Sequence, residues 1–288
     1  MALPFVLNEQ GFEKSWKVGA GMRYVGIDLA WGERNTTAVA VLQGQDDPKA
    51  GAKLIAFAPA LLSDADVLGF CAEHDDGGRY VVGIDAPLLV PNQTGRRPCE
   101  ATLSRCLRSY EAGPHPANRT LIAQSDGTIR GERLAQAFVQ RDIPHTPYLN
   151  TLSTPPRAVF EVFPHPAHVV LFDLAKTLKY KARPDRTRDN RIGEMRRYIA
   201  YLSDLQTAVP SLTLPPDLWN PLATIEGTIK GTDLKIREDV LDAITCAYIT
   251  LHRTRFGDEK SAVVGDLKEG YIVTPVTDAL RHCFAKPD

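Results

Sequence analysis

Apolar and polar residues alternate along residues 23–28, and an almost continuous apolar and β-branched run follows at residues 36–42. Both patterns are typical of β-strands, and the polar residues 32–35 between them predict a turn. The first strand ends in Asp28. A carboxylate at the end of an apolar strand is costly to bury alone, so it needs hydrogen bonds, a positive partner or a metal ion. Capping of the following turn is the simpler role for a lone aspartate there.

A second strand with the same ending is predicted at residues 80–85, YVVGID. Before it, Ser63 is expected to cap a helix over residues 64–74. A helix between two apolar strands is the sequence pattern of a βαβ crossover, which would make the two strands parallel. Asp28 and Asp85 would then emerge at the carboxyl end of one sheet, where ligands bind in parallel α/β sheets.

The middle of the chain, residues 91–152, is rich in Pro, Gly, Arg and His and has few apolar runs. We interpret it as an insertion or lid over the site, with helices at residues 99–109 and 131–141. The rest of the pattern predicts strands at 53–58 and 157–163, helices at 167–176, 192–208 and 236–253, a proline-rich loop at 210–221 and a small hairpin at 262–275. Together these elements predict one α/β domain over residues 23–288, preceded by an arm over residues 1–22.

The composition is that of an ordinary globular protein, with 43% hydrophobic and 24% charged residues. A formal net charge of −1 means that any nucleic-acid binding must come from a local patch. Residues 176–197 hold nine Lys or Arg and three acidic residues. They are either a solvated face or a phosphate-binding arm, and in the second case Lys179, Lys181 and Arg183 are candidate substrate contacts, together with Arg97.

The five cysteines are odd in number and have no CxxC spacing, which argues against a disulfide framework and against a zinc site. A reducing cytoplasm is the expected compartment. No stretch has the ~18 apolar residues that a membrane-spanning helix needs. The first 21 residues lack the basic start and sustained apolar segment of a signal peptide.

Five acidic residues stand out as candidate catalytic groups: Asp28 and Asp85 at strand ends, Glu161 within a strand, and Asp239 with Asp242 three residues apart on one helix face. Such a cluster repels itself unless cations are present, and oxygen ligands without a Cys or His set favour Mg²⁺ or Mn²⁺. Two such ions, about 3.5–4 Å apart, stabilise in-line phosphoryl displacement. Taken alone, Asp239 is better explained as an acid favoured near a helix N-terminus.

Five motifs resemble an uncharacterised family, domain of unknown function 429, whose members are described as predicted nucleases with an RNase H fold. They are GIDLAWG (26–32), GIDAPL (83–88), RRPCE (96–100), EVFPHPA (161–167) and REDVLDAI (237–244). The resemblance implies a central mixed sheet with an antiparallel meander of two or three strands followed by parallel strands. Helices would cover both faces of that sheet.

The wider RNase H-like superfamily, which includes Holliday-junction resolvases, places one acid on the first strand, one on the fourth, and one or two on the last helix. Carried over to this chain, the resemblance makes Asp28, Asp85, Asp239 and Asp242 metal ligands, with Asp28 bridging the ions. Glu161 matches no standard ligand and is expected to be an additional ligand or a group supporting one. The implied activity is metal-dependent hydrolysis of phosphodiester bonds in DNA or RNA.

Two alternatives remain open on the sequence alone. The first is an ATP-using enzyme of the related actin-like superfamily, because residues 26–41, with Asp28, Thr36 and Thr37, resemble its first phosphate hairpin. The loop after Asp85, however, has no glycine-rich turn for a second phosphate. The second alternative is a non-catalytic scaffold that binds nucleic acid or a protein. The sequence also leaves open DNA, RNA or a small phosphate ester as substrate, and the oligomeric state.

Overall fold

A computed structural model describes residues 21–32, 35–44, 51–149 and 156–286 of the 288-residue chain. The expected N-terminal arm lies almost wholly outside these ranges. Within them, no helix combines the length and the apolar character needed to span a membrane.

A mixed β-sheet forms the centre of the described chain. Its strands are β1 (Arg23–Asp28), β2 (Thr37–Gly44), β3 (Ala52–Leu61), β4 (Tyr80–Ile84), β5 (Arg157–Glu161) and β6 (Leu212–Thr213), in the spatial order β5-β4-β1-β2-β3-β6. The first three strands are antiparallel neighbours, whereas β4 lies parallel to β1, and β5 lies parallel to β4. The predicted crossover between β1 and β4 is therefore confirmed, as is the antiparallel meander that precedes it.

Helices cover both faces of this sheet. The helices of the described residues, not all of which pack on the sheet, are α1 (Asp64–Glu73), α2 (Pro98–Cys106), α3 (Arg119–Ile122), α4 (Arg130–Val139), α5 (Pro164–Leu171), α6 (Arg188–Asp204), α7 (Pro216–Ala223), α8 (Gly231–Phe256) and α9 (Asp278–Phe284). As predicted, Ser63 caps α1, in a capping box in which Ser63 and Asp66 hydrogen-bond each other's backbone N–H groups.

The alternation of side chains along the strands separates the core into two layers. Val25 and Ile27 of β1 belong to a cluster that includes residues of α1 and α4. Tyr24 points to the other face, into a cluster built largely from α6 and α8. Because successive side chains of a strand point to opposite faces, Gly26 and Asp28 lie on the α8 side with Tyr24.

Helix α8 lies against β1 and β4 at unusually close range. A Cβ atom added at Gly26 would stand 2.0 Å from the Ala243 carbonyl oxygen and 2.2 Å from the Ala247 nitrogen. At Gly83 of β4 it would stand 2.6 Å from Cγ2 of Thr250. The repeated Gly-Ile-Asp sequence is thereby explained: the glycine admits the helix, the isoleucine enters the opposite layer, and the aspartate follows at the strand end.

Helix α8 extends beyond the predicted 236–253 at both ends, to Gly231 and Phe256. From Glu238 to Arg253 every residue is buried. A helix buried all round has a weak amphipathic pattern, and its ends are correspondingly hard to read from the sequence. The acids Asp239 and Asp242 lie in the turn that precedes Ala243, and thus next to the end of β1.

Three other expectations are corrected. Helix α5 starts at Pro164 rather than near residue 167, because proline is well suited to the first turn of a helix. The expected proline-rich loop at 210–221 contains β6 and α7, and α7 has Pro216 in its first turn for the same reason. The strand predicted at 157–163 ends at Glu161.

The hairpin predicted near the C-terminus is confirmed as β7 (Ser261–Asp266) and β8 (Gly270–Pro275). It packs with α2, α5 and α9 in a third apolar cluster. Residues of α4, including Leu134 and Phe138, pack instead against the sheet. The apolar residues of the expected insertion at 91–152 thus join neighbouring clusters.

One disulfide, Cys106–Cys283, ties α2 to α9. This corrects the expectation that the cysteines do not pair. The two residues are 177 positions apart, and it is the docking of α9 on α2 that brings their Cα atoms to 5.8 Å. No spacing motif in the sequence signals such a pair. Cys71, Cys99 and Cys246 are free and buried.

Replacing Gly26 by alanine is expected to destabilise the fold, because the new methyl group meets backbone atoms of α8 that cannot rotate away. We expect a loss of about 1–3 kcal/mol in the free energy of unfolding, or more, measured by urea denaturation. The control is Gly193→Ala in α6, where a Cβ atom meets nothing within 4 Å and alanine favours the helix. Equal stability of the Gly26→Ala and wild-type proteins would show that α8 does not need this close approach.

Candidate functional site

Asp28 and Asp85 form the floor of the site. They follow the neighbouring parallel strands β1 and β4, in which Ile27 pairs with Ile84, and the Asp85 N–H donates to the Ile27 carbonyl at 2.8 Å. Because side chains alternate between the two faces of a strand, both carboxyl groups lie on the α8 side of the sheet. Both residues are half-buried. The expected meeting of these two side chains at one sheet edge is therefore observed.

Helix α8 brings two more carboxyl groups to the same place. Asp239 and Asp242 are both buried. The Asp239 and Asp28 carboxyl groups are close enough to shift each other's pKa, and Asp242 is close enough to Asp28 and Asp85 to raise the pKa of both. We call Asp28, Asp85, Asp239 and Asp242 the acid cluster. Its four members come from three elements that meet only in the folded chain.

Asp242 is already fully compensated. Its Oδ1 accepts hydrogen bonds from the hydroxyl groups of Tyr180 at 2.7 Å and Tyr198 at 3.1 Å. Its Oδ2 pairs with the Lys181 ammonium at 2.8 Å. Burial alone would raise the pKa of Asp242, but the Lys181 ammonium outweighs it and holds the pKa below its usual value. Asp242 is therefore ionised at neutral pH.

The other three acids have the opposite electrostatics. Burial raises the pKa of Asp28 well above its usual value and that of Asp85 to about 7, although Lys181 opposes both shifts. Burial also raises the pKa of Asp239, against the lowering effect of Lys235. Carboxylates this close to one another cannot all ionise without a compensating cation. This part of the acid cluster therefore retains a proton or attracts a further positive charge.

Two lysines supply positive charge within the cluster. Burial acts to lower the pKa of Lys181, but Asp242, Asp28 and Asp85 more than reverse this, so its pKa is raised and the ammonium persists at neutral pH. Lys235 sits one turn before the acids on α8 and bonds Glu238 at 2.8 Å and Asp239 at 2.5 Å. Lys181 was a predicted substrate contact, and the structure places it inside the acid cluster.

The acid cluster opens into a pocket of about 760 Å³. Asp28 and Asp85 lie at its base, and one side is formed by four cationic residues, Lys179, Lys181, Arg183 and Arg186, which we call the basic wall. Three of its members were predicted from the charge of residues 176–197. In the structure, Lys179 is bound to Glu111, and Arg183 contacts the Nε2 atom of His115 at 3.1 Å.

Glu161 and Arg97, by contrast, lie outside the acid cluster. In the pairing of β4 with β5, Glu161 stands beside Ile84, and its side chain therefore points away from the face that carries Asp85. Arg97 holds it with two hydrogen bonds, of 2.8 Å and 2.7 Å, and the Leu88 N–H donates to it at 3.0 Å.

Arg97 also bonds Glu100 at 2.8 Å, and its side chain is 1% exposed. Burial disfavours the charged guanidinium, but Glu161 more than offsets this, and the pKa of Arg97 is raised. A guanidinium buried between two carboxylates is not available to a phosphate backbone, so the structure does not support Arg97 as a substrate contact. Together with Glu161 it forms a buried ionic brace between α2 and the end of β5.

Sequence reasoning did not single out several residues that shape the site. Tyr180 and Tyr198 hold Asp242, and His165 lines the pocket with its Nδ1 atom 3.1 Å from the Thr177 hydroxyl oxygen. Burial lowers the pKa of His165, which keeps it neutral. Lys235 and Glu238 were also missed. Their three-residue spacing in the sequence is a recognisable signal of a helical ion pair.

Some features of the acid cluster favour binding of an added cation, and others do not. Oδ2 of Asp239 is buried and meets no N–H or O–H donor in the described chain, as expected of an oxygen that a cation or a shared proton could satisfy. Over the same residues, however, no group of three or more acid, histidine or cysteine side chains has the arrangement of a formed metal site. Lys181 and Lys235 are paired with Asp242 and Asp239, so a metal ion would have to compete with these lysines for the carboxylate oxygens.

A sequence model of the family described as protein of unknown function (DUF429) matches residues 26–258. The chain belongs to the DUF429 family. The match spans β1 to the end of α8 and so includes every member of the acid cluster and of the basic wall. No curated protein and no solved structure matches this DUF429 chain.

Replacing Arg97 by methionine is expected to destabilise the protein strongly, since it leaves the buried carboxylates of Glu161 and Glu100 without their cation. We expect a loss of about 3–5 kcal/mol in unfolding free energy by urea denaturation. Arg197→Met is the matched control. That residue is 56% exposed and pairs with Glu194 at 2.6 Å, and its loss should cost no more than about 1 kcal/mol. Similarly small losses of unfolding free energy in both variants would show that the Arg97–Glu161 ion pair does not stabilise the fold.

Proposed function

We propose that this DUF429 protein is a divalent-metal-dependent nuclease with an RNase H-like fold, which hydrolyses phosphodiester bonds in nucleic acid. The observation that carries the proposal is that Asp28 and Asp85 line a pocket with a cationic side, with Asp239 of α8 buried next to Asp28. Acids recruit a divalent cation, and lysine and arginine bind phosphate oxygens. The two features together fit a phosphate ester whose reacting phosphorus lies between them.

The topology also supports the proposal. Three antiparallel strands followed by two parallel ones, with the long α8 packed across them, is the arrangement that the family resemblance implies. The acids occupy the positions expected for an RNase H-like site: the end of β1, the end of β4, and the first half of α8. Their agreement in element and in sheet face is a stronger argument than the presence of four acids in the sequence.

Mg²⁺ or Mn²⁺ would be held by Asp28, Asp85 and Asp239, whose oxygens suit a hard cation and whose mutual repulsion a cation would relieve. Asp242 fits this role less well, because its Oδ1 accepts two hydrogen bonds and its Oδ2 is ion-paired with Lys181, so its contribution is to hold Lys181. When bound, the ion supplies Lewis-acid stabilisation of the phosphate and a lower pKa for a coordinated water.

The chain's own groups account for substrate positioning. Lys181 is the cationic residue in contact with both the acid cluster and the pocket, so it is the group that would bind a nonbridging oxygen of the reacting phosphate. Its raised pKa keeps the ammonium protonated at neutral pH, so Lys181 supplies a fixed positive charge and does not act as a general base. Arg183 and Arg186, further along the basic wall, would hold flanking phosphates. Tyr180 keeps Asp242 in place and so fixes the Lys181 ammonium.

Asp28→Asn is expected to weaken Mn²⁺ binding by at least about tenfold, or about 1.4 kcal/mol, in calorimetric titration, because it removes an ionisable ligand. Cleavage of labelled DNA and RNA strands should be lost with it. The control is Asp185→Asn, an exposed acid at the edge of the same pocket, which should titrate like the wild type. Unchanged Mn²⁺ affinity and cleavage in Asp28→Asn would overturn the site assignment.

Lys181→Met is expected to separate metal binding from activity. Removing the ammonium frees the Asp242 carboxylate, so the affinity for Mn²⁺ should equal or exceed that of the wild type. Cleavage should fall by about 10²-fold or more, as when a preorganised transition-state contact is lost.

Lys179→Met is the matched control for Lys181→Met. The Lys179 ammonium lies in the same basic wall but is bound to Glu111, so its replacement should change single-turnover cleavage much less. If Lys181→Met bound Mn²⁺ more weakly and still cleaved at the wild-type rate, Lys181 would have no part in positioning the phosphate.

A second candidate function is a non-catalytic nucleic-acid-binding scaffold. It is favoured by the ion pairs of Asp242 with Lys181 and of Asp239 with Lys235, which neutralise two of the four acids without any metal. A scaffold would bind nucleic acid through the basic wall with the same affinity in Mn²⁺ and in a chelator, and would cleave none of the strands offered. That outcome would replace the nuclease proposal.

A further inference from the structure

Trp31 is an exposed aromatic side chain at the mouth of the candidate site. It lies three residues after Asp28, is 37% exposed, and lines the pocket together with Asp28 and Asp85. The other large apolar side chains that the described residues expose are Leu62, Leu121, Val139, Tyr148, Val209 and Leu267. None of these borders the pocket. What distinguishes Trp31 is its place in the pocket lining, where its indole offers a flat aromatic surface to a ligand beside Asp28 and Asp85.

The backbone that leads to Trp31 is held by buried contacts as far as Ala30. Leu29 is buried in the sheet layer below α1 and α4. The Ala30 N–H donates to the Thr37 hydroxyl at 3.2 Å, and the Ala30 carbonyl accepts from Arg130 at 2.8 Å. Arg130 is itself buried and paired with Asp64 at 2.7 Å. These contacts hold the loop after β1 in place as far as Ala30, and Trp31 is the next residue.

The pocket has the size of a small-ligand site. Its volume of about 760 Å³ falls within the roughly 300–1,000 Å³ of pockets that enclose a compact organic molecule. Of the acid cluster, Asp28 and Asp85 line it, and both are only half-exposed. A nucleotide must therefore enter the pocket for its phosphate to reach Asp28. A nucleotide that is still paired and stacked in a duplex brings its partner strand with it, whereas an unpaired nucleotide can place its own base against Trp31.

We propose that the pocket binds an unpaired nucleotide of a single strand, with its base stacked on Trp31 and its phosphate beside Asp28, Asp85 and Lys181. The proposal rests on the nuclease function above and adds the substrate class. Aromatic stacking accepts any base, since every base has a π-face, so the site discriminates by strandedness rather than by sequence. Arg183 and Arg186 continue the basic wall for the adjacent phosphates of the strand.

The test is a binding measurement with Ca²⁺ as the divalent ion, so that association rather than cleavage is followed. The probes are a fluorescein-labelled 12-nucleotide DNA strand, the same sequence as RNA, the 12-base-pair DNA duplex, and a single nucleoside monophosphate. Fluorescence anisotropy reports the affinity for the labelled strands, and competition reports the monophosphate. We expect both single strands to bind at least about tenfold more tightly than the duplex.

Trp31→Ala should lower single-strand affinity by roughly 5- to 150-fold, the equivalent of about 1–3 kcal/mol of stacking free energy, and leave duplex binding unchanged. Trp31→Phe keeps an aromatic ring and should retain most of the affinity. The matched control is Tyr148→Ala, which removes a similarly exposed aromatic residue, 38% exposed, away from the pocket. It should bind as the wild type does.

Intrinsic fluorescence gives an independent readout. The chain has three tryptophans, Trp16, Trp31 and Trp219, and Trp219 is 7% exposed. Stacking of a base on Trp31 should quench the emission when an unlabelled strand is added, and Trp31→Phe should lose that quenching. Quenching of the same amplitude in wild type and Trp31→Phe would place the strand away from Trp31 and overturn the proposal.

The results of these measurements also distinguish a failure of this proposal from a failure of the nuclease proposal. Equal affinity for duplex and single strands, or an unaffected Trp31→Ala variant, would overturn the single-strand assignment alone, provided that Mn²⁺ binding still depends on Asp28. A monophosphate that binds as tightly as the 12-nucleotide strands would show that the pocket takes a free phosphate ester and not a strand. The absence of both Mn²⁺ binding and nucleic-acid binding would overturn the nuclease function itself.

Discussion

The close approach of α8 to the sheet is the constraint on which the site depends. Because Gly26 and Gly83 have no side chains, the helix backbone lies directly on β1 and β4. Were the helix held off by ordinary side chains, the distance between the layers would grow to the roughly 10 Å typical of packed layers. The carboxyl groups of Asp239 and Asp28 would then no longer meet. The two glycines thus determine the geometry of acids several residues away.

Charge compensation is the second condition for this architecture. Four carboxylates at a half-buried sheet edge would repel one another and lose hydration, and each needs a positive partner or a proton. The chain supplies partners unevenly: Asp242 receives an ammonium and two hydroxyl groups, Asp239 receives an ammonium, and Asp28 and Asp85 are left with raised pKa values. This uneven distribution leaves the two acids that face the pocket open to an external cation.

Much of the fold follows from local patterns in the sequence. Alternation and apolar runs located β1, β4 and the C-terminal hairpin, and the Gly-Ile-Asp repeat pointed to two parallel strand ends. The partners within the site could not be found in this way. The contacts of Lys181 and Tyr180 with Asp242 bridge about 60 residues, and nothing in the pattern of either segment encodes that meeting.

Glu161 shows a different limit of sequence reasoning. Whether it shares a face with Asp85 depends on the register between β4 and β5, and a shift of one residue would move it to the other side of the sheet. The disulfide between Cys106 and Cys283 shows a third, because it depends on the docking of two helices that no local pattern predicts.

The ionic brace of Arg97 and Glu161 has a consequence for the modularity of the chain. Segments that interrupt a common sheet are often treated as removable additions, but Glu161 belongs to β5 of the central sheet while its cation comes from the interrupting segment. Excising that segment would leave a carboxylate in the interior with no positive neighbour among the remaining strands described here. The sheet and the segment that interrupts it therefore stabilise each other, and a shortened version of this domain would be less stable unless a neutral residue stood at position 161.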